Sequence, residues 1–596
     1  MCGIVGLVNG HPVASDLVAA LARLEYRGYD SAGVALAGPG FAVHKVVGCA
    51  RDLSAALEPA MPQGRAGIGH TRWATHGRPE ARNAHPHAAA GVAVVHNGII
   101  ENHAALRAEL EAVGAVFRSD TDSEVIPHLI AGGLARGMEP EQALLAACGR
   151  LAGAYGIAAL FEAAPGRILV ARQGSPLVVG EGHDSAAVAS DPVALAGVAQ
   201  RYRALEDGEV AELSQAGARI RGAARARGRG WSPVDGLQMA DGLARHGSHT
   251  RREISEQAAA VQATAAALSA ATLPAVVRRA ARLQVIACGS SLYAATVARG
   301  AIERAAGLPV DIEIASEFRD RAPPLAPRTA VVLVSQSGET ADTMAAMEIA
   351  RSRGLPTIGV VNVPHSAIGR RASALWPTAA GPEVGVAATK SFTSQVYALM
   401  RLGLALGEAS GKGDAAYRTE LAAALASVPA VLTEAERHEE TIRELAPSVV
   451  LEGEALFIGR GAGAALAAEG ALKLKELSYI RAEGYAAGEL KHGPIALVRE
   501  RSPVIVCAPG DEHLAKTLSN AQAVRARGAT VTVLTDAAGA HAAAEVADNL
   551  VVLPGRGAAS AFSIAVALQL LSVHAAEALG RNVDRPRNLA KSVTVE

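Results

Sequence analysis

The chain has 596 residues, 57 Lys and Arg against 58 Asp and Glu, a net charge of −1, 50% hydrophobic and 19% charged residues. That length exceeds one hydrophobic core and points to about three or four domains. The balance offers no basic excess for nucleic acid, no acidic tail, and no segment that reads as an uninterrupted membrane span. Five cysteines, an odd number with no Cys-x-x-Cys, speak against a disulfide framework or a zinc site and fit a reducing cytoplasm.

In chain order, the first informative residue is Cys2, in Met1-Cys2-Gly3-Ile4-Val5-Gly6. With Met1 removed, Cys2 would carry a thiol and a free α-amino group of pKa about 7.7–8.0, a nucleophile with its own general base. The short apolar start lacks the basic n-region of a signal peptide. Residues 2 to about 220 read as short β runs (3–8, 32–37, 91–96, 156–161 and 167–171) with helices between them. Residues 222–249, Gly- and Arg-rich and then aperiodic, read as a linker into a helix that contains 253–267.

The remainder alternates strand and helix, the pattern of parallel sheets covered on both faces. Strands are expected at 283–287, 330–334, 357–361, 455–458, 504–507 and 530–534. The strand–helix units recur in matching order, so two similar α/β lobes are expected. Strand 330–334 runs into Ser335-Gln336-Ser337-Gly338-Glu339-Thr340 and a helix. Free N–H groups at the helix start, three hydroxyls and a glycine suit a phosphate monoester. A capped helix start is the plain alternative, but three hydroxyls in six residues exceed what capping needs. The matching turn of the second lobe, Ala508-Pro509-Gly510-Asp511-Glu512, has no hydroxyl, a proline and two carboxylates, so one phosphate site per chain is expected. No Gly-Lys-Ser/Thr phosphate loop is present. On a helix, Lys473 and Glu476 share a face.

Several motifs carry a family resemblance. Cys2–Gly6, Tyr26-Arg27-Gly28-Tyr29-Asp30-Ser31, Gly69-His70-Thr71-Arg72-Trp73-Ala74-Thr75-His76-Gly77 and His96-Asn97-Gly98 resemble amino-terminal-nucleophile glutaminases. Cys288-Gly289-Ser290-Ser291 and the 335–340 turn resemble sugar isomerase (SIS) lobes, and the tail from Asp584 to Glu596 resembles that of the glutamine–fructose-6-phosphate aminotransferase (isomerising) family. The resemblance runs over essentially the whole chain.

It implies an α/β multidomain protein: an N-terminal-nucleophile αββα glutaminase domain (2–221), the linker (222–249), two α/β SIS lobes with parallel sheets (276–415 and 450–583), and a tail (584–596) completing the sugar site. It implies Cys2 as nucleophile, Asn97 and Gly98 as oxyanion hole, and a glutamine pocket of Arg27, Arg72, Trp73, Thr75, His76, Gly98 and Asp122. Arg72 would hold the α-carboxylate, Asp122 the α-ammonium, and Trp73 would gate an ammonia channel between the two sites. Sugar phosphate would bind Ser290, Ser291, Ser335, Gln336, Ser337, Thr340 and Val386, with Ser290 standing where the family usually has Thr. Glu476 would be the base for C1–C2 proton transfer with Lys473 beside it, His492 would open the ring across a homodimer interface, and Lys591 would form the Schiff base.

The implied reaction makes glucosamine 6-phosphate and glutamate from fructose 6-phosphate and glutamine, the first committed step of amino-sugar synthesis, in the cytoplasm. It needs no metal, nucleotide or pyridoxal cofactor and involves neither nucleic acid nor membrane. The short linker implies little feedback by a nucleotide-sugar end product. A non-catalytic SIS-type sugar-phosphate sensor, a glucosamine-6-phosphate deaminase-like enzyme and a phosphoribosyl-transferring glutaminase are the rivals. The last is opposed by the duplicated second half and by the lack of an acidic phosphoribosyl-pyrophosphate loop.

Overall fold

The computed structural model describes residues 2–38, 40–222, 230–234 and 246–592. The chain divides into two compact units, one of residues 1–240 with 590–596 and one of 241–589.

The first unit stacks two antiparallel sheets. One has the order β14 (Ser232–Pro233), β11 (Arg201–Ala204), β9 (Val178–Glu181), β10 (Ser185–Ala189), β1 (Gly3–Asn9), β4 (Ala66–Arg72), β2 (Ser31–Gly38) and β3 (Gly40–Val47). The other has the order β13 (Gly217–Arg221), β12 (Val210–Ser214), β8 (Ile168–Gln173), β7 (Gly153–Phe161), β6 (Val92–Ile100) and β5 (His87–Ala89). Three separate apolar clusters explain the layering. Ile4, Val8 and Ile68 of the first sheet meet Val95, Leu160 and Val170 of the second between the sheets. Helices Ala14–Ala22 and Ala50–Leu57 cover the first sheet through Leu17, Leu21 and Leu53. Helices Val125–Ala135 and Pro140–Cys148 cover the second through Ile126, Ile130 and Leu144. The expected αββα order results, because each strand presents apolar residues to both faces.

Ser232–Pro233, inside the stretch read as linker, pairs with Arg201–Tyr202 as an edge strand, and Trp231 packs on the inter-sheet core. The rest of that reading, 223–229 and 235–245, lies outside the described residues.

The second unit holds two five-stranded parallel sheets. The first has β15 (Arg282–Ala287), β16 (Val310–Ile314), β17 (Thr329–Ser335), β18 (Thr357–Val361) and β19 (Ala374–Leu375). The second has β20 (Glu454–Gly459), β21 (Arg481–Ala486), β22 (Pro503–Cys507), β23 (Thr530–Asp536) and β24 (Asn549–Leu553). Their orders, β16-β15-β17-β18-β19 and β21-β20-β22-β23-β24, are the same topology twice, as the duplicated sequence pattern requires. One continuous core joins the lobes, with Phe392, Leu399 and Leu402 of helix Lys390–Ser410 and Phe562, Leu568 and Leu571 of helix Ser560–Ala578.

Two expectations change. The single helix over 253–267 is two, His249–Ser255 and Gln257–Ser269, broken at Glu256. Residues Gly557–Ala578 form a helix long and apolar enough to cross a membrane, against the reading of no such segment. Its hydropathic stretch is 94% buried within the unit, where neighbouring helices supply the apolar surroundings a bilayer would.

Candidate active sites

In the first unit the antiparallel register sets the surroundings of Cys2. Gly3 pairs with Thr71, so Cys2 falls opposite Arg72 and Trp73 at the end of β4. The Trp73 N–H donates to Cys2 Sγ at 3.3 Å, and the thiol faces the Trp73 carbonyl at 3.5 Å. Burial pushes the Cys2 thiol above its ordinary value, against the pull of the Trp73 N–H and the Arg72 guanidinium. A base is therefore needed to make the thiolate.

Asn97 and Gly98 lie on β6. The Asn97 Nδ2 donates to the Cys2 carbonyl at 2.9 Å. Gly98 has φ +136°, and a Cβ there would sit 1.9 Å from the Ala154 carbonyl oxygen, so the position admits glycine alone. Arg27 donates to the Cys2 carbonyl at 3.4 Å and pairs with Asp191 at 3.1 Å, which also accepts from Tyr26 Oη at 2.8 Å. The buried Arg72 guanidinium bonds the carbonyls of His76, Gly77 (2.9 Å) and Arg78 (3.2 Å), shaping the 76–78 loop. Asp122 is buried and accepts the Ile100 N–H at 2.8 Å, at the end of β6. Trp73 and His76 are half-buried and Thr75 is exposed. Sequence reading missed Asp191, Asp30 and His70. Asp30 takes the Ala74 N–H at 2.7 Å and so fixes the loop after Trp73; it stood within a motif, whereas nothing in the sequence pointed to Asp191.

In the second unit, β17 ends at Ser335 and helix Ala341–Ser352 follows the hydroxyl-rich turn. Ser335 Oγ accepts the Gly338 N–H at 3.0 Å and lies 2.8 Å from Thr340 Oγ1, and Ser337 Oγ accepts the Glu339 N–H at 3.2 Å. The Ser335 and Ser337 oxygens are used as acceptors inside the turn. Gly338 has φ +65°, and a Cβ would lie 1.9 Å from Ser366 Oγ. Ser290 and Ser291 open helix Gly289–Ala306, and Ser290 Oγ donates to Glu469 Oε1 at 3.0 Å across the lobes.

Helix Ala462–Ser478 carries Glu469, Lys473 and Glu476 at one-turn spacing. Lys473 Nζ lies 2.6 Å from Glu476 and 3.5 Å from Glu469, and both Lys473 and Glu469 are buried. Burial, with Glu476 nearby, pushes the Glu469 carboxyl up to about 7, against the opposing pull of Lys473. Burial works against the Lys473 ammonium, but the two carboxylates outweigh it and hold the pKa above its ordinary value. Glu469 is a missed member, readable from its i, i+4 spacing to Lys473.

The loop bearing Val386 is held by buried acids. Glu383 accepts from the N–H groups and hydroxyls of Thr389 and Ser391, and Glu253 accepts the Val384 N–H at 2.5 Å. Asp584 accepts the N–H groups of His249 (2.9 Å) and Thr250 (2.7 Å), and its carbonyl takes the Val386 N–H at 3.3 Å. Glu253 and Asp584 were unreadable because their partners stand more than 130 and more than 330 residues away in sequence. His492 is exposed at the end of the 3-10 segment Ala487–His492. Lys591 belongs to the first unit, its N–H donating to the Tyr26 carbonyl at 3.4 Å, and so is not grouped with Glu476. Gln336 follows β17, and its carbonyl accepts the Asn362 N–H at 3.1 Å. Among the described residues no group of three or more His, Cys, Asp or Glu is placed to hold a metal ion.

The arrangement provides a partly buried thiol near the start of one unit, and in the other a helix with a row of Glu469, Lys473 and Glu476 and a hydroxyl-rich turn. Known proteins divide the same way. The glutamine amidotransferase domain profile matches residues 70–197, and the SIS domain profile matches 277–405 and 452–578. The isomerising glutamine–fructose-6-phosphate aminotransferases of Caulobacter vibrioides and Bradyrhizobium diazoefficiens are 45% and 46% identical to this chain, each over the full length of both proteins. The solved C-terminal domain of the glucosamine-fructose-6-phosphate aminotransferase of Francisella tularensis matches 58% of this chain and 99% of its own, at 34% identity and a TM-score of 0.55. Full-length identity at this level, with both halves in order, leaves one conclusion: the chain belongs to the glutamine–fructose-6-phosphate aminotransferase (isomerising) family.

Proposed function

We propose that this protein converts fructose 6-phosphate and glutamine to glucosamine 6-phosphate and glutamate. The observation that carries the reading is full-length likeness to enzymes of that name, with the thiol site and the acid–base helix both retained. In the glutaminase half, Cys2 Sγ attacks the side-chain amide carbon, and its α-amine, freed by loss of Met1, takes the thiol proton and passes it to the leaving ammonia. Asn97 Nδ2 and the Gly98 N–H stabilise the oxyanion, and water then hydrolyses the thioester to glutamate. Arg72 and Asp122 hold the α-carboxylate and α-ammonium, with Arg27, Trp73, Thr75 and His76 around them.

In the isomerase half, Ser335, Gln336, Ser337 and Thr340 hold the phosphate, with Ser290, Ser291 and Val386 around the sugar. His492, reaching from the partner of a homodimer, opens the ring, and Lys591 forms an imine at C2 with loss of water. Ammonia, delivered from the glutaminase site through a channel gated by Trp73, displaces the lysine. Glu476, with Lys473 beside it, removes a proton from C1 and returns one to C2, turning ketose into aldose. The domain limits stated from the sequence, a cytoplasmic setting and weak end-product feedback complete the reading.

The test is glucosamine 6-phosphate formation by wild type and Cys2→Ala, with glutamine or with ammonium. Wild type should use glutamine, and Cys2→Ala ammonium alone. No amino sugar from either protein with either donor would overturn the assignment of Glu476, His492 and Lys591 and favour the sensor.

A further inference from the structure

His70 is not among the residues assigned above, yet it is fully buried between the two sheets of the first unit. It sits on β4, and its Nε2 faces two oxygens of β6, the His96 carbonyl at 3.0 Å and Asn97 Oδ1 at 3.1 Å. Two acceptors on one ring nitrogen require that nitrogen to carry the proton. Its Nδ1 is buried and has no hydrogen-bond partner among the described residues, so the neutral Nε2–H tautomer leaves a bare lone pair there rather than an orphaned donor. Burial lowers the His70 pKa to about 3, so the ring stays neutral through the working range.

The consequence falls on Asn97. A side-chain amide can be rotated by half a turn with almost no change of shape, so only its partners decide which end points where. Here Oδ1 accepts from His70 while Nδ2 donates to the Cys2 carbonyl at 2.9 Å. The flipped amide would set NH2 against the His70 N–H and an oxygen against the Cys2 carbonyl, two like-with-like contacts. An oxygen would then also face the site where negative charge develops.

We propose that His70 is a positioning residue for glutamine hydrolysis: its Nε2–H locks the Asn97 amide with the Nδ2 donor turned toward the nucleophile. This rests on the glutaminase reading of Cys2 and Asn97. An oxyanion donor acts in the transition state alone, so losing its orientation lowers kcat and leaves KM nearly unchanged.

The experiment compares His70→Gln, whose amide nitrogen reaches the Nε2 position, with His70→Asn, which is polar but too short, and His70→Met, each alone and combined with Asn97→Ala. Steady-state glutamine hydrolysis is measured on the full chain. His70→Asn and His70→Met should lose about 10- to 100-fold in kcat with KM within about 3-fold, a loss on the scale of one misdirected oxyanion donor. His70→Gln should stay within about 5-fold of wild type. In the Asn97→Ala background the His70 substitutions should cost less than about 2-fold, since the group they orient is gone. Wild-type kcat in His70→Asn, or an equal loss with and without Asn97, would overturn the proposal. If His70→Met fails to fold, the Gln and Asn pair decides alone. Absence of glutamine hydrolysis by wild type would instead overturn the glutaminase reading itself.

Discussion

The two lobes of the second unit share strand order and connectivity, yet their equivalent turns are lined differently. After β17 the turn offers Ser335, Ser337 and Thr340 around a helix start. After β22 the Gly510 N–H of the turn is instead taken by a carboxylate of the protein. Asp536, from the end of β23, accepts from the N–H groups of Gly510 (3.1 Å), Ala538 (3.0 Å) and Gly539 (3.3 Å) and from the hydroxyl of Ser560. A doubly wound sheet focuses N–H groups at the carboxyl ends of its strands whether or not a ligand is wanted. Both lobes satisfy N–H groups of the turn internally, the first with neutral hydroxyl oxygens at Gly338 and Glu339 and the second with a carboxylate at Gly510, whose charge would repel an anion. Duplicating a fold therefore duplicates an electrostatic opportunity, and a few side chains decide its use.

The comparison can be broken most directly in the first lobe. The Ser337→Ala, Thr340→Ala double variant should weaken fructose 6-phosphate binding by about 100-fold or more, because each charge-assisted hydrogen bond contributes about 1.5–3 kcal/mol. Calorimetry showing unchanged affinity would remove the phosphate from this turn. In the second lobe the loss should appear as stability instead. Asp536→Ala removes the acceptor of the Gly510 and Ala538 N–H groups and of the buried Ser560 hydroxyl and should cost about 3 kcal/mol in urea unfolding. Sugar-phosphate affinity should stay within about twofold, and a large drop there would show that the second turn also serves the ligand.

Two pH experiments sharpen the contrast between the units. The folded-state pKa of Glu469, about 7, lies above its ordinary 4.5. Its stabilising contribution is therefore complete below pH 4.5 and fades as pH rises through 7, by about 3 kcal/mol. The stability of Glu469→Gln relative to wild type should improve over that window, and a flat difference would contradict the shift. His70 has the opposite sign. Its folded pKa, about 3, lies below its ordinary 6.5, so its contribution is complete above 6.5 and is lost as pH falls toward 3, by about 2 kcal/mol at pH 5. His70→Gln should flatten the acid limb of the first unit's unfolding profile, and an unchanged limb would count against a buried neutral ring. His85, His87 and His96 are also buried and shifted downward, so some acid sensitivity should persist.

How much of this was legible depended on how far apart in the chain the interacting groups stand. The central strands announced themselves as Val- and Ile-rich runs, and the five-residue strand Thr357–Val361 was read to its ends. The edge strand Ser232–Pro233 was not, since an edge needs little apolar content and is defined by its partner. The break at Glu256 was hidden because apolar spacing continues across it, while Lys390 Nζ reaches that carboxylate at 2.6 Å from a distant helix.

The sequence by itself determined the order of the parts, the thiol at position 2, the hydroxyl-rich turn and the Lys473–Glu476 helix face, because each is set by residues within a turn or a strand of one another. Only the tertiary structure decided that Glu469 joins that face as a buried acid with Ser290 as donor, and that Asp536 closes the second turn. It also decided that Asp584 and Glu253 hold the Val386 loop and that His70 orients Asn97. Those pairings link groups on separate elements, and their strength comes from burial, which no local pattern encodes.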